Sequence, residues 1–106
     1  MVEVLCIDNM NRPDEIPRSK WIQFGFKYNI THVYFHPMQG IQGVDLAEIK
    51  LTSDCFPYET YKLSRFAITK ENMTKLIALT KECTKLNDID INKLIEESKL
   101  KLIEDE

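Results

Sequence analysis

Residues 70–106 of this 106-residue chain contain no glycine, no proline and no aromatic residue. The one tryptophan, four tyrosines, five phenylalanines, three glycines and four prolines of the sequence all lie between Pro13 and Phe66. Glycine and proline are the residues that most strongly interrupt helices. Their absence predicts that residues 70–106 are helical, and the change in composition after Thr69 sets them apart from residues 1–69.

Cysteine is also scarce, and the three that occur, Cys6, Cys55 and Cys83, are an odd number spread along the sequence. A small secreted domain normally carries an even set of disulfide-bonded cysteines. The first residues lack the basic start and apolar run of a signal peptide. No run approaches the ~20 apolar residues of a membrane span. These absences predict a cytoplasmic protein with reduced thiols and no membrane partner.

Neither sign of charge is in large excess, because 14 Lys+Arg and 17 Asp+Glu give a net charge of −3. This balance removes the simplest electrostatic case for nucleic-acid binding, so we do not expect nucleic acid to be the main partner. One segment nevertheless interleaves basic and aromatic side chains in the way that single-strand-binding barrels do. Its members are Arg12, Arg18, Lys20, Trp21, Phe24, Phe26 and Lys27. A small single-stranded nucleic-acid-binding barrel is therefore the alternative function.

Four stretches have the composition of short β-strands, namely residues 2–8, 27–36, 44–51 and 65–69. Pro37 ends the second stretch because proline has no N–H to donate to a neighbouring strand. The apolar parity of the third stretch switches near Ala47, which predicts a β-bulge or burial on both faces. Pro57 and the segment from Tyr58 to Tyr61 predict one tight helical turn in the loop between the last two strands.

Two helices are predicted after the strands. Thr69 suits an N-cap, and Glu71 would occupy the first turn, where the helix dipole favours negative charge. A helical stripe of apolar residues runs to Leu86, and Asp90 can cap a second helix that includes Leu102. Strands followed by helices indicate an α+β single domain over residues 1–106, with a small β-barrel at 1–69 and a helical extension at 70–106. The extension would pack on the barrel or form a homodimer.

A spaced pattern of residues carries a resemblance to a known group of proteins. The pattern is Trp21, Gly25, Tyr28 and Ile30, then Leu46-Ala-Glu-Ile49, then Tyr58, Tyr61 and Arg65-Phe66. It resembles small uncharacterised proteins of gut bacteria and their phages. The resemblance covers about residues 2–68 and implies a five-stranded SH3-like barrel and a phage or mobile-element accessory role. It implies no active site.

The sequence offers no strong chemical motif. His32 and His36 lie ~13 Å apart on an extended strand at ~3.3 Å per residue, too far for one metal ion. No CxxC pair or helical HxxxH motif is present. A nucleophilic Cys55 activated by a histidine would make a hydrolase, which is the weakest of the three hypotheses. We therefore predict no catalytic residue, no metal, no cofactor and no enzymatic activity.

The remaining candidates are aromatic and charged side chains around the loops. Trp21, Tyr58 and Tyr61 predict an aromatic groove for a protein partner, since rigid amphipathic rings are common in binding hot spots. The competing interpretation is that all three rings cap the barrel and bind nothing. Glu48 and Arg65 are either a structural ion pair or two independent surface charges. The main functional hypothesis is a non-enzymatic protein–protein interaction module.

Overall fold

A mixed five-stranded sheet lies beneath one α-helix in the computed structural model, which describes residues 1–36, 40–84, 93 and 99–103. The strands are β1 (Val2–Cys6), β2 (Lys27–His36), β3 (Gly40–Leu46), β4 (Phe66–Thr69) and β5 (Lys101–Ile103), and the helix is α1 (Lys70–Thr84). The strand order across the sheet is β3-β2-β1-β4-β5. Neighbouring strands are antiparallel except β4 and β5, which are parallel.

The predicted closed SH3-like barrel is wrong, because this sheet is open. β3 and β5 are its two outer strands and lie at opposite edges. Closure into a barrel requires the two outer strands to pair with each other. Here β5 instead extends the sheet beyond β4, which places the C-terminal part of the described chain in the sheet itself. The coarser prediction of an α+β fold is confirmed.

Alternating burial explains how the central strands form. Val2, Val4 and Cys6 of β1 are buried, whereas Glu3 between them is exposed, which is the period-two pattern of a strand with one covered face. In β2 the register against β3 shifts between Ile30 and His32. Such an irregularity re-aims the side chains that follow it, so His32 is exposed although it shares the parity of buried Ile30.

β3 ends earlier than the sequence predicts, and Glu48 supplies the reason. The N–H of Ala47 donates to the carbonyl of Asn29 at 2.8 Å, and the Glu48 carboxylate then accepts the N–H of Asn29 at 2.8 Å. A side chain therefore occupies the position at which the next residue of β3 would have paired. The parity switch near Ala47 marks the end of this strand rather than a bulge within it.

α1 begins where the composition predicts. The Asn72 N–H donates to the hydroxyl of Thr69 at 3.2 Å, which confirms Thr69 as the N-cap. The helix packs on β1, β2 and β4, with Leu76 and Thr80 fully buried. The buried Thr80 hydroxyl donates to the Leu76 carbonyl at 2.8 Å, so its burial leaves no unsatisfied donor. The apolar stripe of α1 thus packs on the sheet.

The prediction of two C-terminal helices is wrong. Leu102, which the prediction placed in the second helix, lies instead in a strand, β5, at the C-terminal end of the described residues. Most of the second helix predicted from Asp90 falls on residues 90–92 and 94–98, outside the described residues. No helix among the described residues is long and apolar enough to cross a membrane.

Candidate functional site

A groove of about 290 Å³ opens beside Trp21, on the part of the molecule that loops build. Two segments, residues 11–21 and 58–62, and the 3-10 turn Leu63–Arg65 form its walls. Its lining, called the aromatic groove below, consists of Asn11, Pro13, Ile16, Trp21, Tyr58, Thr60, Tyr61, Lys62 and Arg65. The structure therefore brings the three predicted aromatic residues to one concave surface.

Tyr61 forms the floor of the aromatic groove. Its side chain is only 3% exposed, and its backbone pairs with Val44 through N–H to carbonyl bonds of 2.9 and 3.1 Å. Its hydroxyl donates to the Lys20 carbonyl at 2.5 Å. Burial raises the pKa of the Tyr61 hydroxyl well above its ordinary value, so the group stays neutral in the groove. Tyr61 belongs to the fold, as the competing interpretation of the rings expects.

Trp21 forms a half-buried wall whose orientation is fixed at both ends. Its Nε1–H donates to the Asn9 carbonyl at 2.8 Å. Its ring lies 6.2 Å from the Tyr61 ring, centroid to centroid, at a tilt of 45°. The guanidinium carbon of Arg65 lies 4.9 Å from the Trp21 ring centroid, within the range of a cation–π contact. These three contacts together define the position of the Trp21 ring in the groove wall.

Tyr58 is the accessible ring of the three, with 40% of its surface exposed. Its N–H donates to the Cys55 carbonyl at 2.9 Å, which anchors the backbone while the ring faces outward. The predicted helical turn from Tyr58 to Tyr61 is wrong, because the 3-10 turns lie on either side of it, at Ser53–Cys55 and Leu63–Arg65. Tyr58 and Tyr61 are therefore rim and floor of one groove rather than two neighbours on a helical face.

The predicted Glu48–Arg65 ion pair is wrong, because the structure gives each side chain different partners. Arg65 Nη1 donates to the Met10 carbonyl at 2.8 Å and pairs with Asp8 Oδ1 at 3.3 Å. Glu48 accepts from the backbone N–H of Asn29 and, through Oε2, from Asn29 Nδ2 at 2.7 Å. Partial burial raises the pKa of Glu48, but the hydrogen bonds from Asn29 outweigh it and lower that pKa.

The charge of the aromatic groove is positive. Lys62 and Arg65 are its two ionisable cations, and the other lining residues carry no formal charge at neutral pH. Asp8 neutralises much of the charge on Arg65, whereas the Lys62 side chain is exposed at the rim. The rim therefore offers a positive group beside an exposed ring.

The basic and aromatic segment considered for nucleic acid is split by the fold. Trp21 lines the aromatic groove, and Lys20 pairs with Asp54 at 3.2 Å. Phe24 and Phe26, by contrast, are 66% and 57% exposed, and neither ring is used to build the core. The exposed rings of Phe24 and Phe26 are therefore available to stack on bases.

Cys55 is fully buried, which removes it as an accessible nucleophile. The thiol that the structure places beside a histidine is Cys83, whose Sγ lies 3.5 Å from Nδ1 of His32. Sequence reasoning missed this pair, because nothing in the spacing of residues 32 and 83 indicates that they meet. Among the residues described, no group of three or more His, Cys, Asp or Glu side chains could hold a metal ion.

No protein-family model matches the chain, and neither a curated protein nor a solved structure is significantly similar to it.

Proposed function

We propose that this protein is a non-enzymatic protein–protein interaction module whose aromatic groove binds an extended, acidic segment of a partner protein. The observation that carries the proposal is the arrangement of Tyr58 and Trp21 over a fixed floor. One exposed ring and one half-buried ring flank a concavity of about 290 Å³ whose wall and floor are held by hydrogen bonds to the Asn9 and Lys20 carbonyls. A preformed site loses less conformational entropy on binding than one that must first be ordered.

A peptide segment suits the lining of this groove better than a purely apolar ligand. Tyr and Trp combine a large apolar face with one polar group, which matches the mixed character of a peptide. Asn11 and Thr60 add side-chain hydrogen-bonding groups for a backbone that lies in the groove. Lys62 at the rim favours a carboxylate on the partner, which is why we propose an acidic segment.

We also propose a cellular compartment and a biological context for this interaction. Cys6, Cys55 and Cys83 are all free thiols in the structure, which supports a reducing, cytoplasmic compartment. The resemblance to small proteins of gut bacteria and their phages supports an accessory role in a phage or mobile element. The partner would then be a protein of the host or of the element.

A selection of random displayed peptides tests the proposal. The wild-type chain is the target, and Tyr58→Ala is the counter-target that removes the exposed ring. Tyr34→Ala is a matched control, because Tyr34 is also 40% exposed but lies outside the aromatic groove. We expect peptides enriched in Asp and Glu that are retained by wild type and Tyr34→Ala and lost by Tyr58→Ala. Enrichment of the same peptides on all three targets would overturn the proposal.

The exposure of Phe24 and Phe26 favours a second candidate function, the binding of single-stranded nucleic acid. Base stacking on aromatic rings contributes about 1–3 kcal/mol per base and tolerates any sequence. Fluorescence anisotropy with labelled single-stranded DNA and RNA at several salt concentrations tests it. Salt-sensitive binding that Phe24→Ala weakens and Tyr58→Ala does not would support this candidate. Absence of binding at low salt would eliminate it.

A further inference from the structure

Cys83 lies in the last turn of α1 with two groups of β2 directed at its sulfur. His32 Nδ1 is 3.5 Å from Sγ, and the backbone N–H of Val33 donates to the same Sγ at 3.5 Å. Both separations lie within the usual range for hydrogen bonds to sulfur, whose radius exceeds that of oxygen. The thiol therefore contacts both an imidazole nitrogen and a backbone donor, and none of these residues lines the aromatic groove.

His32 is oriented by its own neighbours. Its ring lies 4.5 Å from the Tyr34 ring, centroid to centroid, in an edge-to-face arrangement. The Tyr34 hydroxyl donates to Asp45 Oδ2 at 2.6 Å, which fixes the Tyr34 ring against β3. That hydrogen bond raises the pKa of Tyr34 to about 12, so Tyr34 keeps its proton and the contact persists at neutral pH. A nucleophile, a base and a group that orients the base are the parts of an activated thiol.

The three cysteines differ sharply in access. Cys6 and Cys55 are fully buried, and burial raises the pKa of the Cys6 thiol, which keeps that sulfur protonated. Cys83 is only partly buried, and His32 beside it is exposed. Of the three thiols, Cys83 is therefore the best placed to meet a reagent in solution.

We propose that Cys83 is a thiol–disulfide exchange site that takes a low-molecular-weight disulfide and becomes a mixed disulfide, with His32 as the proton acceptor. The proton of the thiol moves from Sγ to Nδ1, and the Val33 N–H stabilises the resulting thiolate. The Cys83 sulfur attacks one sulfur of the disulfide, so that a new S–S bond forms as the old one breaks. The leaving thiolate then takes the proton from His32 and departs as a free thiol. Cys83 is oxidised, and the disulfide reagent is reduced by the same two electrons.

The test incubates the full chain at neutral pH with excess oxidised glutathione and follows adduct formation by intact-mass and peptide mass spectrometry. We expect one adduct, on Cys83, formed faster than on any cysteine of the same chain unfolded in urea. His32→Gln cannot take the proton, and its rate should fall at least ~10-fold. His36→Gln is the matched control, since four strand residues place position 36 ~13 Å from position 32, and its rate should stay unchanged.

Three results would overturn the proposal. They are a first adduct on Cys6 or Cys55, a Cys83 rate no faster than in the unfolded chain, or equal rates in wild type and His32→Gln. Circular dichroism of each variant shows whether it is folded. If His32→Gln does not fold, the comparison of native and urea-unfolded wild type decides the question alone.

Discussion

Beneath α1, backbone ladders join the strands, whereas around the aromatic groove one backbone bridge and individual side-chain hydrogen bonds join segments that are distant in sequence. In the sheet, each strand position is supported by its neighbours through the regular pairing of β1 with β2 and β4. In the groove, Trp21 Nε1 reaches the Asn9 carbonyl, and the Tyr61 hydroxyl reaches the Lys20 carbonyl. The sheet should therefore tolerate substitutions at its exposed positions, whereas the structure of the groove should depend on a few individual contacts.

The largest expected effect comes from removing the floor of the groove. Tyr61→Ala should lower the free energy of unfolding by roughly 3–5 kcal/mol, because it deletes a buried aromatic ring. Tyr61→Phe keeps the ring, removes only the hydrogen bond to Lys20, and should cost about 0.5–1.5 kcal/mol. Urea unfolding measures both. A Tyr61→Ala chain as stable as wild type would show that the ring is not part of the fold.

A second way to break the groove region is to enlarge Gly43, where β3 passes Thr60. A Cβ atom at this position would lie 2.7 Å from Thr60 Cβ and even closer to Thr60 Oγ1. Gly43→Ala should therefore destabilise the chain by about 1–3 kcal/mol, the usual cost of overpacking. Thermal unfolding monitored by circular dichroism measures the loss.

A substitution of Thr60 tests whether its side chain is what excludes a Cβ atom at position 43. Thr60→Gly removes both of the nearest Thr60 atoms, and in that background Gly43→Ala should cost much less than in wild type. If the cost is the same in both backgrounds, the close approach of Thr60 to β3 is not what excludes a side chain at position 43.

A smaller, pH-dependent effect is expected at the end of β3. Glu48→Gln replaces a carboxylate that accepts two hydrogen bonds from Asn29, and because Glu48 is exposed the loss should be about 1 kcal/mol or less at neutral pH. The folded-state pKa of Glu48 is lowered, so its contribution is complete above the unfolded value of about 4.3 and disappears as pH falls through the folded value. The stabilities of variant and wild type should therefore converge in acid, as urea unfolding at a series of pH values would show. A difference that grows in acid would contradict the assignment.

The same contrast between sheet and groove explains what the sequence could predict. β1, β2 and the start of α1 follow from periodicity and capping, which are local signals at Val2, Val4 and Thr69. The end of β3 does not, because Glu48 acts through Asn29, a residue of another strand. The open sheet also escaped prediction, since β5 joins β4 through a pairing that no local pattern encodes.

The sequence likewise predicted some features of the candidate site and not others. Trp21, Tyr58 and Tyr61 do line one groove, but not through the helical turn and the closed barrel from which their grouping was predicted. Their separate positions as wall, rim and floor follow from how deeply each ring is buried in the folded chain, which cannot be read from the sequence. The true partner of Arg65 is Asp8, and residues 8 and 65 are brought together only by the β1–β4 pairing.

The smallest expected effect on stability belongs to the residue on which the proposed function depends most. Tyr58→Ala should change the free energy of unfolding by less than ~0.5 kcal/mol, because its ring is exposed and contributes little to the core. Chemical denaturation measures it beside Tyr34→Ala. A large loss of stability would place Tyr58 in the fold and remove the exposed ring from the binding hypothesis.

The most direct test of the aromatic groove as a peptide-binding site uses its own fluorophore. Trp21 is the only tryptophan in the sequence and lies in the groove wall, so its emission reports what enters the groove. An acidic peptide selected on the wild-type chain should shift the Trp21 emission in a saturable titration. Tyr58→Ala should weaken that binding at least ~10-fold, equivalent to about 1.4 kcal/mol, while Tyr34→Ala leaves it unchanged. Saturable binding without any change in Trp21 emission, or equal affinity in Tyr58→Ala and wild type, would contradict the account.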